Sequence, residues 1–204
     1  MFDLPEHLPI EVTPFAFLLG QWQGTGIVSY KHRLDATTGE PIEYQFTQNV
    51  TFANNGENYV TYQSSAKLLD EAGTILPAEL GFWRIARPAE TSDHGPGLLP
   101  GEGEPSILTR DDLEKLRTKH GGFDIEASIL HPSGINEHYM GFIKGARVDL
   151  ATGKGSSRSE NSKEYSGASR LYGLVDGALL WAWDIAALGN PITSHASARL
   201  EKIS

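Results

Sequence analysis

Among the side chains able to do chemistry, His195 has the most informative surroundings. It stands in Asn190-Pro191-Ile192-Thr193-Ser194-His195-Ala196-Ser197-Ala198-Arg199-Leu200, which reads as the last strand of the chain. A neutral imidazole on a rigid strand makes a good axial ligand for haem iron. The small side chains of Ala196 and Ala198 would give a flat macrocycle room. Alternation argues the other way: it groups His195 with Thr193, Ser197 and Arg199, the polar face, opposite Ile192, Ala196, Ala198 and Leu200. The other histidines offer less. His7, His32, His94 and His120 read as surface residues. His131, before Pro132-Ser133-Gly134, reads as a side chain bonded to a turn backbone. His138 alternates with Asn136 and Met140 against Ile135, Glu137 and Tyr139, which leaves its direction open.

Several chemistries are absent. No histidine pair has the i, i+4 spacing of a zinc protease, and none shares a strand at i, i+2. There is no G-x-S-x-G elbow for a serine hydrolase. Gly24-Thr25-Gly26 is followed by no G-K-[S/T], so it is not a phosphate loop. The chain contains no cysteine, which removes disulfides, thiolate metal sites and a cysteine nucleophile.

The elements that must position His195 begin at Gly20-Gln21-Trp22-Gln23-Gly24-Thr25-Gly26, a G-x-W-x-G-x-G pattern. Gly20, Trp22, Gly24 and Gly26 share one face of a strand, since strand side chains alternate with period 2. Three glycines there imply tight curvature, or close approach of another backbone or a ligand. The opening residues 1–14 carry Pro5, Pro9 and Pro14 and read as an arm lying over the domain, with Phe15 to Leu19 as an apolar plug for a barrel end. Strand text then runs over residues 20–31, 43–52, 59–68, 79–87, 123–130, 135–142, 147–151, 164–175, 178–186 and 192–203, with Asn54-Asn55-Gly56 as a hairpin turn. Residues 88–122 interrupt it. Thr91 to Pro105 reads as a flexible loop and Thr109 to Arg117 as a short helix, with Thr109 as N-cap and Asp112 completing a variant capping box. This segment holds too few apolar residues for a core of its own, so residues 1–204 read as a single domain with an insertion able to cover the mouth. The fold class is all-β: a closed ten-stranded antiparallel up-and-down barrel of lipocalin or fatty-acid-binding shape, large enough to enclose a small ligand.

Composition narrows the partners. The net charge is −9, from 26 acidic and 17 basic residues, with no basic run, so neither nucleic acid nor an anionic membrane is expected. No apolar stretch approaches the roughly 20 residues of a membrane-spanning helix. The N-terminus lacks the basic and apolar regions of a signal peptide, and a cytoplasmic location is expected.

Four segments together resemble the nitrobindin family of haem-binding β-barrels. Gly20 to Gly26 matches its G-x-W-x-G-x-G signature, and Gly81-Phe82-Trp83-Arg84 is similar to its G-F-W-R strand. His131-Pro132-Ser133-Gly134 resembles its H-P-[T/S]-G turn. Lys163-Glu164, Arg170-Leu171-Tyr172-Gly173-Leu174 and Pro191 to Leu200 resemble its closing pattern. The resemblance implies one haem b per chain, His195 as the axial iron ligand and Lys163 at the haem site, through a propionate. It further implies isomerisation of peroxynitrite to nitrate at ferric haem, nitric oxide binding as a related property, and no protein acid or base. A homodimer is a candidate assembly. A carrier or sensor of nitric oxide, or of a fatty-acid-like ligand, is the alternative use of the same cavity. The family's Y-P-T-I text is replaced here by Tyr30-Lys31-His32-Arg33-Leu34-Asp35, so its threonine has no clear counterpart, with Thr37 and Thr38 lying later.

Overall fold

The structure, a computed structural model, describes residues 8–203. Its strands are β1 (Gly20–Leu34), β2 (Pro41–Ala53), β3 (Val60–Leu68), β4 (Ile75–Ile85), β5 (Phe123–Leu130), β6 (Ile135–Lys144), β7 (Arg147–Thr152), β8 (Ser157–Arg158), β9 (Tyr165–Val175), β10 (Ala178–Ala187) and β11 (Thr193–Lys202). Alternation generates them. On β2, for example, Phe46, Gln48, Val50 and Phe52 are buried while the residues between them are not. Neighbours pair antiparallel in the order β5-β4-β3-β2-β1-β11-β10-β9-β7-β6, and β5 pairs with β6, which closes a ring of ten strands. The eleventh, β8, is two residues long and pairs only with the start of β6. The ten-stranded barrel expected from the sequence is the fold observed.

The glycine pattern marks the seam where the first and last strands meet. A Cβ on Gly24 would stand 2.0 Å from the Arg199 carbonyl oxygen, and one on Gly26 would stand 2.3 Å from that of Ser197 and 2.5 Å from the Phe46 ring. The constraint is therefore close approach of backbone and packed ring. Trp22, on the same inward face, is buried, and its indole N–H donates to the Leu18 carbonyl at 2.7 Å.

Leu18 belongs to the plug. A 3-10 helix at Ile10–Phe15 and the turn after it bury Val12, Phe15, Phe17 and Leu18 against the barrel end where β1 begins. Residues 1–7 of the expected arm, including His7, lie outside the described residues. The insertion sits at this end too, so the expectation that it can cover the mouth is corrected. In an up-and-down barrel β4 ends and β5 begins where β1 begins, so the connection between them emerges at the plugged end. Its helix α1 (Arg110–Glu114) carries the expected capping box between Thr109 and Asp112, and it buries Leu113. The Gly- and Pro-rich half, expected to be flexible, is tethered. Arg87 donates to both Glu11 carboxylate oxygens (2.8 and 2.9 Å) and to both of Asp93 (2.8 Å each).

Gly24→Ala tests the seam. The substitution is expected to cost about 1–3 kcal/mol by forcing two backbones apart. Gly173→Ala, where the nearest atom to the new Cβ is 4.0 Å away, should leave the urea midpoint almost unchanged. Equal effects of the two substitutions would show that the seam carries no such constraint.

Candidate functional site

At the other end of the barrel, inward-facing side chains stay only partly buried. Tyr30 and Tyr44 come from β1 and β2, Leu76 from β4, Tyr165 from β9, and Trp183 and Ile185 from β10. They wall an open mouth, and His195 lies among them near the start of β11. Its ring centroid is 5.2 Å from that of Trp183, edge to face, and 5.9 Å from that of Tyr30.

A β-bulge puts His195 there. On β10, Trp183 faces Ala196 and the next residue, Asp184, faces Ser194, so His195 is the extra residue with no partner across the ladder. A bulge breaks strict alternation and re-aims the side chain it carries. This settles the two opposed sequence arguments in favour of the interior. The sequence gives no warning of it, since neither glycine nor proline marks the position.

The imidazole is prepared on one side. Nδ1 lies 3.1 Å from the Ser29 carbonyl oxygen on β1. A carbonyl only accepts, so Nδ1 carries the proton and Nε2 keeps its lone pair. Nε2 has no partner among the described residues. Burial pulls the His195 pKa below its ordinary value, outweighing the bond to Ser29, and the Arg170 charge adds to the fall. The ring is thus neutral at pH 7 and able to ligate. This donor set fits a haem iron: one neutral imidazole with its second nitrogen fixed by a carbonyl, between aromatic walls.

Below the mouth lies a floor of buried charge. Arg170 of β9 reaches Glu79 of β4 with both terminal nitrogens (3.0 and 2.6 Å), Glu137 of β6 at 3.0 Å, and the Tyr139 hydroxyl at 2.9 Å. The same guanidinium stands 4.1 Å from the centre of the Trp183 ring. Tyr62 donates to Glu79 and Tyr165 to Glu137, each at 2.6 Å. His131 completes the floor, and its expected role is corrected. Its side chain bonds Glu137 (Nε2 to Oε2, 2.9 Å) and stacks on Trp183, with no bond to the turn backbone. The reason is parity: β5 points Phe123, Ile125, Ala127 and Ile129 inward, and His131 follows them. Glu79, His131 and Glu137 stand at mutual distances that suit a metal ion. Arg170 already binds both carboxylates, so the group is a closed ion-pair cluster.

The other sequence candidates fall elsewhere. Lys163 is exposed in the turn before β9. The next residue, Glu164, accepts a backbone hydrogen bond from Leu188, beyond β10, which puts Lys163 on the same rim as His195. Gly20, Trp22, Gly24 and Gly26 serve the seam and the plugged end. His138 points outward, 3.6 Å from Glu126. His32, His94 and His120 are exposed, as are Thr37 and Thr38 at the β1–β2 turn, where their N–H groups bond Asp35. A depression of about 770 Å³ lies on the outer wall around Ile27, Leu171 and Leu180. Its two arginines, Arg147 and Arg199, are already paired with Asp149 and Glu201. Sequence reasoning missed Ser29, Tyr30, Trp183 and the Glu79–Glu137–Arg170 cluster, although inward parity marks all but Ser29.

Comparison with known proteins gives a consistent result. Residues 11–202 match the family model described as "THAP4-like, heme-binding beta-barrel domain". A protein of Leifsonia xyli subsp. xyli named peroxynitrite isomerase is 48% identical over 202 residues, covering 99% of each chain. One of the same name from Clavibacter michiganensis subsp. michiganensis is 43% identical over 204 residues, covering both chains fully. The crystal structure of Rv2717c from M. tuberculosis superposes with a TM-score of 0.67 at 20% identity, covering 97% of this chain and 99% of that one, and shares its fold.

The floor makes a pH prediction. Burial pushes the Glu137 carboxyl upward, but Arg170, His131 and Tyr165 together hold it at about 2. An unfolded glutamate titrates near about 4.3, so this stabilisation is complete above that pH and is lost as pH falls through about 2. The urea midpoint should fall across that window, and Glu137→Gln, destabilised at neutral pH, should show a shallower fall. Parallel profiles for the two proteins would contradict the assignment.

Proposed function

The chain belongs to the THAP4-like, haem-binding β-barrel family, and from that premise we propose that it holds one haem b through His195 and converts peroxynitrite to nitrate. The observation that carries the reading is the His195 ring, with Nδ1–H held by the Ser29 carbonyl and the Nε2 lone pair free for iron. When bound, ferric haem supplies a Lewis acid for the peroxo oxygen. The rest is the work of the chain. Ser29 fixes the tautomer, and burial keeps the imidazole neutral so that protons do not compete for Nε2. Trp183 and Tyr30 pack against two sides of the ring and hold its orientation. The Arg170 cluster seals the mouth from the core, and Lys163 supplies a rim cation for a propionate. No side chain is required to move a proton, since peroxynitrite and nitrate have the same atoms. Nitric oxide binding is a related property of the same site. An acidic, cysteine-free chain suits the cytoplasm, and among the described residues no helix is long and apolar enough to cross a membrane.

The names and full-length identities of the relatives support the reaction, and the His195 geometry supports the ligand. Stopped-flow decay of peroxynitrite tests both. Ferric haem-loaded protein should speed decay in proportion to its concentration, with nitrate as the product. His195→Ala treated with the same hemin should lose about tenfold or more of that effect. Equal acceleration by the two proteins would remove His195 from the mechanism.

A further inference from the structure

The chain has seven tyrosines, and their surroundings differ sharply. Tyr62, Tyr139 and Tyr172 are buried in the barrel. The hydroxyls of Tyr62 and Tyr165 are committed to Glu79 and Glu137, and that of Tyr139 to Arg170. Tyr59 is half-buried towards the plugged end, packed on the outward-facing Phe82. Tyr30 differs from these in position, although the Tyr59 hydroxyl also has no hydrogen-bond partner among the described residues. Tyr30 faces into the mouth, half-buried, with its ring 5.9 Å from that of His195, and its hydroxyl has no hydrogen-bond partner among the described residues. Tyr44 of β2, opposite Val28, packs edge to face on Tyr30 with ring centroids 5.7 Å apart, and its hydroxyl is likewise without a partner among the described residues.

A second observation bears on what reaches Tyr30. The Arg33 guanidinium stands 5.6 Å from the centre of the Tyr30 ring and makes no ion pair with a described residue. Lys31 is its near neighbour on the same strand end. Asp35, Glu40 and Glu43 lie on the same strand ends, so the cation offered to a small anion at the ring is the Arg33 guanidinium itself. The site therefore combines an accessible phenol, a partly desolvated setting, an uncommitted hydroxyl and a cation that draws anions.

We propose that Tyr30 is a modification site of this protein, nitrated by the peroxynitrite that enters the mouth. The inference rests on the function proposed above, which brings the oxidant to this position. The step balances with peroxynitrous acid as the only co-reactant. Its O–O bond breaks, and the NO2 fragment bonds to the ring carbon ortho to the Tyr30 hydroxyl. The hydroxyl fragment takes up the displaced ring hydrogen and leaves as water. The ring loses two electrons and the peroxide oxygens gain them. A nitro group beside His195 adds bulk where a ligand must pack, so the modification limits the protein's own turnover under sustained exposure.

The test is peptide mass mapping of haem-loaded protein after repeated small additions of peroxynitrite, with decay followed in the same samples. The mass gain of one nitro group should accumulate on the Tyr30 peptide several-fold faster than on the Tyr59 peptide. Decay acceleration should fall in step with it. Tyr30→Phe, whatever its starting rate, should lose activity more slowly over the same additions. If decay is accelerated but Tyr30 gains no more nitro group than Tyr59, the modification site is wrong and the function stands. If decay is not accelerated, the function fails, and the inference fails with it. If Tyr30→Phe declines as fast as the parent protein, self-limitation through Tyr30 is overturned.

Discussion

Arg170 reaches from β9 across the barrel to carboxylates on β4 and β6, and all three charges are buried. Taking such ions out of water is expensive, and the arrangement survives only because nearly every donor and acceptor is matched. Glu79 receives both terminal nitrogens of Arg170 and the Tyr62 hydroxyl, while Glu137 receives Arg170, His131 and Tyr165. Removing the arginine alone would leave two buried carboxylates without their guanidinium, at a cost of about 3–5 kcal/mol. The cluster also divides the interior. On one side Phe52, Tyr62, Trp83, Tyr172 and Trp181 pack as an aromatic core, and on the other the barrel stays open.

Trp183 links that floor to the mouth. Arg170 and His131 lie against its ring, and His195 meets it edge to face. A fixed indole gives the imidazole one wall, Tyr30 gives another, and the Ser29 carbonyl sets the tautomer. The bulge at His195 completes the arrangement: it frees the residue from the β10 ladder and turns it inward. The preparation of the ligand is thus distributed over β1, β9, β10 and β11, strands that closure of the barrel brings side by side.

Much of this architecture was legible in the sequence because it is periodic. Alternation located ten strands, Asn54 to Gly56 marked a hairpin, and Thr109 with Asp112 marked a helix start. Other features were legible in principle but misread. Inward parity continues through β5 to His131, and up-and-down connectivity sends the insertion to the plugged end. Two features have no local signature. Inward parity marks Arg170 and Glu79 singly, but 91 residues separate them and nothing local announces that they pair. The bulge at His195 arises from the register between two strands, while a single strand's text shows only polar and small residues. The glycine pattern implies either curvature or close approach, and the structure shows close approach, with the β11 backbone and the Phe46 ring as partners.

The most direct test of the account is an absorption titration of the haem-free protein with hemin, run beside His195→Ala and Ser29→Ala. The account predicts a saturable 1:1 Soret band for the parent protein. The band should be retained in Ser29→Ala, whose backbone carbonyl still holds Nδ1, and lost in His195→Ala. A band that His195→Ala reproduces in position and affinity would contradict it, because the iron would then be held by something other than the imidazole that the bulge turns into the mouth.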